Sequence, residues 1–344
     1  MANAREALSA ELSKELGSSS VSIGQVQLLS YNAVAVDGIT LYDRESNQLA
    51  AAGQVVVKFS PFGILRGQPV VAAISEISIT KPQAYLKQSA DGRWNFEDLL
   101  EQKGTDQAAF TGKVTIIDGS AVIKNAAGQW AVAGINGSVD FVHRPATEIQ
   151  LTFNHNNATI TTTGSWSSQR GTVTMQADNL ALVDYQALCA AGNSIKLVGG
   201  NAAAVQVVIH QDKGHLNFAG EATLAGASFD IDGVPVREMQ GLITFTDSSV
   251  YLFNTAQVYG QPVRLRGKIS TDTAEPVFNL AVSSDNFDPS AVNANIPVQG
   301  AVAFDASVTG TTSAPKVVGD FTLAQGQIGG YAVTNAAARL EFAD

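Results

Sequence analysis

The residues best suited to chemistry in this chain are four histidines, one cysteine and a few carboxylates at turns. His210 and His215 flank Asp212-Lys-Gly214 and could meet across a hairpin. A zinc site takes three or four ligands. This pair offers two, with Asp212 a poor third, so the residues read as polar flanks of a turn. Phe229-Asp-Ile-Asp-Gly233 starts like a calcium loop, but the twelfth position counted from Asp230 is Gly241, where the loop needs a bidentate Glu. A hairpin turn at Asp232-Gly233 accounts for the same residues. Cys189 stands alone, which excludes an intramolecular disulfide framework and a cysteine-based zinc site. Its apolar neighbourhood fits an inert buried thiol. No G-x-S-x-G elbow, P-loop or G-x-G-x-x-G occurs. No carboxylate pair sits where its surroundings would raise one pKa. The sequence therefore predicts no enzyme, no cofactor and no metal.

The elements that would position such groups are almost all strands. Charged residues are 15% of the 344, against about 25% in ordinary globular proteins. Gly, Ala, Ser, Thr and Val dominate. Such a chain either shows water polar, uncharged strand faces or keeps an apolar surface for a partner. The net charge of −10 argues against nucleic acid, which needs a basic stripe. No apolar run reaches the roughly 20 residues of a membrane-spanning helix. The longest candidate, residues 181–191, is too short and contains Asp184 and Gln186.

Residues 4–16 carry Leu8, Leu12 and Leu16 on one helical face, and Gly17 follows as a stop. From Val21 onward alternation takes over. Val34 and Val36, then Ile39 and Leu41, read as two strands parted by an Asp37-Gly38 turn. Val55–Phe59 is a strand, and residues 61–70 a turn or short helical connection. Gly199-Gly200-Asn201 reads as a turn. Residues 101–111 are polar and aperiodic, the best linker, and residues 182–191 are the remaining helix candidate. After the linker a degenerate repeat of about 100 residues appears. Gly112-Lys-Val-Thr-Ile, Gly220-Glu-Ala-Thr-Leu and Gly319-Asp-Phe-Thr-Leu open its blocks, and strands ending in Phe141, Phe245 and Phe342 follow.

Residues 74–100 hold the most specific pattern. Ile77 and Ile79 alternate with Ser78 and Thr80, Pro82 marks a strand start or a free edge, Asp91-Gly92 a turn, and Asn95 a cap for a short helix over 96–100. From Ile79 this gives I-x-x-P-x-x-x-x-x-x-x-x-DG-x-x-N-x-x-x-LL. The pattern resembles the N-terminal signature of the AsmA-like and TamB-like envelope protein family. Leu65, Arg66 and Gly67 stand where that family has its "lL-x-G" segment. Residues 301–330, with Val-Thr-Gly-Thr-Thr-Ser-Ala-Pro-Lys-Val-Val-Gly-Asp-Phe, resemble the recurrent "GT-x-x-x-P-x-v-x-G" element of TamB.

The resemblance implies a mainly β fold: a long curved antiparallel sheet, or repeating β-groove, with a short N-terminal helix and a chorein-like N-terminal region. Its parts would be residues 1–16 as helix after a membrane anchor, 17–105 as the chorein-like region, and 106–344 as groove blocks at about 112–219, 220–318 and 319–344. Both ends read as cut, so the sequence predicts a piece of a longer protein. The resemblance further implies a bridge-like conduit for phospholipid acyl chains across the periplasm of a diderm bacterium. That conduit would be anchored in the inner membrane, with an outer-membrane β-barrel as a possible partner.

A meander with one apolar face must cover it or use it. The alternating residues that would line an open groove are Val173, Met175, Val205, Val207, Ile209, Ile243, Phe245, Phe278, Leu280, Val282, Val302, Phe304 and Val308. A closed sandwich fits the same alternation. So does a module that assembles outer-membrane barrels through exposed strand edges.

Overall fold

The computed structural model describes residues 20–43, 45–97, 110–126, 128–186, 195–213, 215–311 and 313–343. The protein is mainly β, and the described residues include 21 strands of one mixed sheet. They fall into two compact units. One holds residues up to Met175 together with His210–His215; the other holds Gln176–Ile209 and Leu216–Asp344.

The first unit begins with β1 (Val21–Ser22), β2 (Val26–Ser30), β3 (Ala33–Tyr42) and β4 (Gln48–Phe59). Two short helices follow, α1 (Pro61–Leu65) and α2 (Val70–Ala73). Ser60 caps α1, its hydroxyl accepting from the Gly63 N–H at 3.2 Å, and Pro61 takes the first helical position, where no N–H is missed. Then come β5 (Ile74–Thr80), β6 (Gln83–Lys87), β7 (Lys113–Asn125), β8 (Gly128–Asp140), β9 (Thr147–His155) and β10 (Ala158–Trp166).

Two expectations are corrected here. The sheet is not wholly antiparallel, because β7 runs parallel to both β5 and β6. A parallel pair needs a crossover connection, and residues between Lys87 and Lys113 provide one. Asp37-Gly38 is not a turn: β3 runs through it, with Gly38 at φ +63° as a bulge, pairing β2 on one side of it and β1 on the other. The helix expected after Asn95 lies mostly outside the described residues, but Asn95 itself is placed. Its side chain accepts from the Lys87 N–H at 3.0 Å and donates to the Tyr85 carbonyl at 2.8 Å, bracing the Asp91-Gly92 turn against β6. The expected helix over 4–16, most of the 101–111 linker, residues 98–100 and Cys189 lie outside the described residues.

β11 (Arg170–Ala181) leads to a 3-10 turn over Leu182–Tyr185. The second unit continues with β12 (Ile195–Asp212), β13 (His215–Ile231), β14 (Val234–Thr246), β15 (Ser249–Val258), β16 (Gln261–Ser270) and β17 (Val277–Phe287). After a second 3-10 turn come β18 (Val298–Gln299), β19 (Val302–Thr311), β20 (Pro315–Ile328) and β21 (Tyr331–Ala343). From β13 to β21 every pairing given by register is antiparallel. Asp232-Gly233 is the expected two-residue hairpin, with both residues at positive φ. Gly199-Gly200-Asn201 is not a turn but lies inside β12, where Gly200 at φ +86° makes another strand irregularity. Among the described residues no helix is long and apolar enough to cross a membrane.

Candidate functional site

Directly paired residues in adjacent strands point to the same side of a sheet, and the next residue along points to the other. The registers therefore sort the side chains of the paired strands by face. In the first unit one row runs Val36, Val55, Ile79, Ile116, Gly137, Leu151 and Thr162. A second row on the same face runs Leu28, Val34, Val57, Ile77, Val114, Val139 and Ile149. The opposite face carries Lys58, Glu76, Lys113, Asp140 and Glu148 in one row. Lys58 binds Glu76 at 2.8 Å. That hydrogen bond, with another from Ser78, holds the Glu76 carboxyl below its ordinary range.

The second unit repeats the division. One row runs Ile243, Leu252, Gly267, Leu280, Val308, Val317 and Phe342. Parallel to it on the same face lies Phe245, Val250, Ile269 and Phe278, and also Leu265, Val282 and Ala306. Phe304 follows next to Phe321, their ring centroids 5.7 Å apart, with Phe287 edge-on to Phe304 at 5.5 Å. Such pairs add to the area they bury. A buried cluster of Ala202, Leu224, Ala227, Met239, Ala256 and Val263 packs beneath Phe287, Phe304 and Val205. Bulges between Leu224 and Ala227 and between Arg237 and Gln240 bend the strands there.

Polar side chains on this face turn their polarity into the backbone. The Ser284 hydroxyl donates to the Pro262 carbonyl at 2.6 Å. Asn254 accepts from the Phe253 N–H at 3.1 Å and donates to the Gln240 carbonyl at 3.4 Å. The opposite face holds the charges: Arg264 with Asp285 and Lys316 with Glu341, each at 2.7 Å, and Arg339 with Asp320 at 3.3 Å. The partner cations hold the Asp285 and Glu341 carboxyls below their ordinary range, and Asp285 pushes the Arg264 guanidinium up.

The groove candidates named from sequence fall as follows. Ile243, Phe245, Phe278, Leu280, Val282, Val302, Phe304 and Val308 share the apolar face of the second unit. Val302 is buried and the others are half-buried. Val205 packs on the cluster, and Val207 and Ile209 continue its alternation along β12. Val173 and Met175 lie on β11 in the first unit, where Val173 passes close to Gly164 of β10. The apolar rows of the first unit before β11 were not among the candidates. Their signal was present: Ile149, Leu151 and Phe153 alternate cleanly with polar residues in β9.

Among the described residues no group of three His, Cys, Asp or Glu converges. His210 is exposed and its Nδ1 shares a hydrogen bond with the Thr172 hydroxyl at 2.9 Å. Asp230 of the calcium-like segment is paired with Arg237. Among the described residues no large side chain is fully buried. No family model, curated protein or solved structure matches the chain.

Proposed function

We propose that the apolar face of each unit is a groove for phospholipid acyl chains, and that the protein is a segment of a bridge-like lipid transfer protein. It would act between the inner and outer membranes of a diderm cell envelope, in the manner the AsmA/TamB resemblance implies. One observation carries the reading: in both units the registers align apolar side chains into rows that cross many strands, while the charges gather on the other face. A row across strands is the direction in which an extended acyl chain can lie. Each methylene kept from water is worth about 0.8 kcal/mol, so a free lipid does not cross an aqueous gap unaided. Transfer from bilayer to groove exchanges one hydrocarbon-like surface for another, which permits entry without trapping. No catalysis is assigned.

The test places a photo-crosslinking amino acid at Leu280 and, separately, at Asn279. The two positions are neighbours in β17 and face opposite sides. Expressed in a diderm host, the Leu280 probe should yield phospholipid adducts by mass spectrometry and the Asn279 probe should not. Equal labelling from both positions, or none from either, ends the proposal. A second reading, assembly of barrel strands by β-augmentation, draws on β21, which among the described residues pairs only with β20 and is exposed along most of its length. It calls for capture of unfolded barrel strands by lipid-free protein.

A further inference from the structure

A cleft of about 620 Å³ opens on the first unit among β6, β7, β8, the turn between β3 and β4 and the turn that follows β6. That is the size of a small-molecule site. Register sets its base. Tyr85 pairs with Val122, Lys87 with Lys124, and Lys124 with Gln129, so these side chains point to one side of the sheet. Lys87 and Lys124 are like charges set directly opposite each other, an arrangement that costs stability. Both are exposed, and among the described residues neither has an ion-pair partner. The chain's net charge is −10, so acids are not lacking to pair them. The carboxylates nearest the cleft are engaged by their own turns instead. Asp43 accepts from the Glu45 and Asn47 N–H groups at 2.9 and 2.8 Å, and Asp91 accepts from the Ser89 hydroxyl and the Arg93 N–H. Aromatic rings complete the lining. Tyr85 is 40% exposed. Trp94 is half-buried and stacks on Phe96 with ring centroids 5.8 Å apart. The Trp94 backbone N–H donates to Glu97 Oε1 at 3.0 Å, and Asn95 ties the same turn to β6. The rings are therefore held in place before a ligand arrives.

We propose that this cleft binds an acidic oligosaccharide, with the sugar's carboxylate between Lys87 and Lys124. A sugar ring presents C–H groups on its faces and hydroxyls around its rim. Tyr85 and Trp94 offer aromatic surface to the C–H groups. Asn47, Gln48 and Gln129 offer amides, which both donate and accept as hydroxyls require. Two adjacent ammonium groups suit a carboxylate, because each of its oxygens takes one charge-assisted bond. The anion also offsets the repulsion between the lysines. Other ligand classes fit less well. A peptide that adds a strand needs a free edge, but β6 pairs with β4 and β7, and Asn95 takes the Lys87 N–H and the Tyr85 carbonyl. An acyl chain needs a hydrocarbon wall, and Leu86 and Val122 are the aliphatic residues here. The cleft thus gives the protein a ligand of a different class, and the proposal stands independently of the acyl groove.

Ligand-observed NMR titration with the full chain tests this using two probes. One is the disaccharide of N-acetylglucosamine and N-acetylmuramic acid, which carries a carboxylate. The other is chitobiose, which has the same kind of ring and none. The acidic disaccharide should bind in the millimolar range or tighter, and chitobiose about tenfold more weakly. The double substitution Lys87→Gln with Lys124→Gln should bring the two affinities together. It removes a like-charge pair, so the melting temperature should hold or rise slightly, which also shows that the variant is folded. Tyr85→Ala should weaken both probes several-fold, because the ring serves the sugar and not its charge. The proposal fails if neither disaccharide binds, if chitobiose binds as well as its acidic counterpart, or if the double lysine variant still tells them apart. Displacement of the acidic disaccharide by an equal concentration of inorganic phosphate would show a bare anion site and overturn it too. Co-purified phospholipid in the same samples reads the groove separately and enters none of these outcomes.

Discussion

In the first unit the rows that cross the sheet are built mainly from Val and Ile, as in Val36, Val55, Ile79 and Ile116. In the second the corresponding rows mix Leu and Phe, as in Leu252, Leu280, Phe245 and Phe278, with Val and Ile such as Ile243, Val282 and Val308. The pairings differ as well, since β7 runs parallel to two neighbours in the first unit and the second is antiparallel from β13 to β21. Both units nevertheless put charges on one face and hydrocarbon on the other. Strand direction is thus secondary, and the period of two is what sorts the faces. The residue choice does change the surface. β-Branched side chains are stiff at χ1 and short, while Leu and Phe offer more area per position.

The largest effect should come from charging the rows. Leu280→Asp and Phe304→Asp in the second unit, and Ile79→Asp in the first, each place a carboxylate among half-buried apolar side chains at a cost of about 2–4 kcal/mol. Folded variants, checked by circular dichroism, should lose co-purified phospholipid about tenfold or more. If only the second unit's variants lose lipid, the Leu/Phe rows carry the cargo and the Val/Ile rows serve stability. If folded variants in both units keep their lipid, neither face is the path.

A device common to the units gives the next effect. Gly137 of β8 and Gly267 of β16 sit within the apolar rows at φ +142° and +139°. A Cβ on Gly137 would run into the Gln150 carbonyl, and one on Gly267 into the Asn279 carbonyl. Gly137→Ala and Gly267→Ala should each cost about 1–3 kcal/mol in urea denaturation, through strain and close approach. Similar losses would mean that both units use glycine to bring neighbouring strands together. A loss confined to one would mean that the other sheet can relax.

These glycines also show what could be read without coordinates. Alternation placed Ile243, Phe278, Leu280 and Phe304 on strands with the correct side grouped, because a period of two is local. Gly38 and Gly200 were read as turns and prove to lie within β3 and β12, because a positive φ serves a turn or a bulge equally well and only the partner strand decides. The parallel pairing of β7 was not legible for the same reason: it depends on which distant strand offers an edge. Asn95 has the residue type of a cap, and its bonds to the backbone of β6 depend on a neighbour that local sequence does not reveal. Ile79, Ile116 and Leu151 each stand out in their own strands, but their union into one row is a matter of register.

Charges on the second unit's polar face are not all complementary. Asp305 of β19 lies directly opposite Asp320 of β20, and Asp320 in turn pairs with Arg339. Asp305 also attracts Arg264. Asp305→Asn therefore removes one repulsion and one attraction together and should shift stability by less than about 0.5 kcal/mol. Lipid content should not change, because the residue faces away from the apolar rows. A change in cargo would mean that the two faces are not functionally separate.

An effect of similar size tests the polar face of the first unit through pH. Lys58, with help from Ser78, lowers the Glu76 pKa below its usual 4.5. A carboxyl whose folded pKa is depressed stabilises the fold above its unfolded value, and that stability drains away as pH falls through the lowered folded value. Both side chains are partly exposed, so the pair is worth at most about 0.5–1 kcal/mol. Glu76→Gln should therefore be slightly less stable than wild type at pH 7, and the difference should close as the medium is acidified past the ordinary carboxylate range. A gap that persists in acid would mean that Glu76 acts through packing on β5, and the polar row would then be a structural seam like its apolar counterpart.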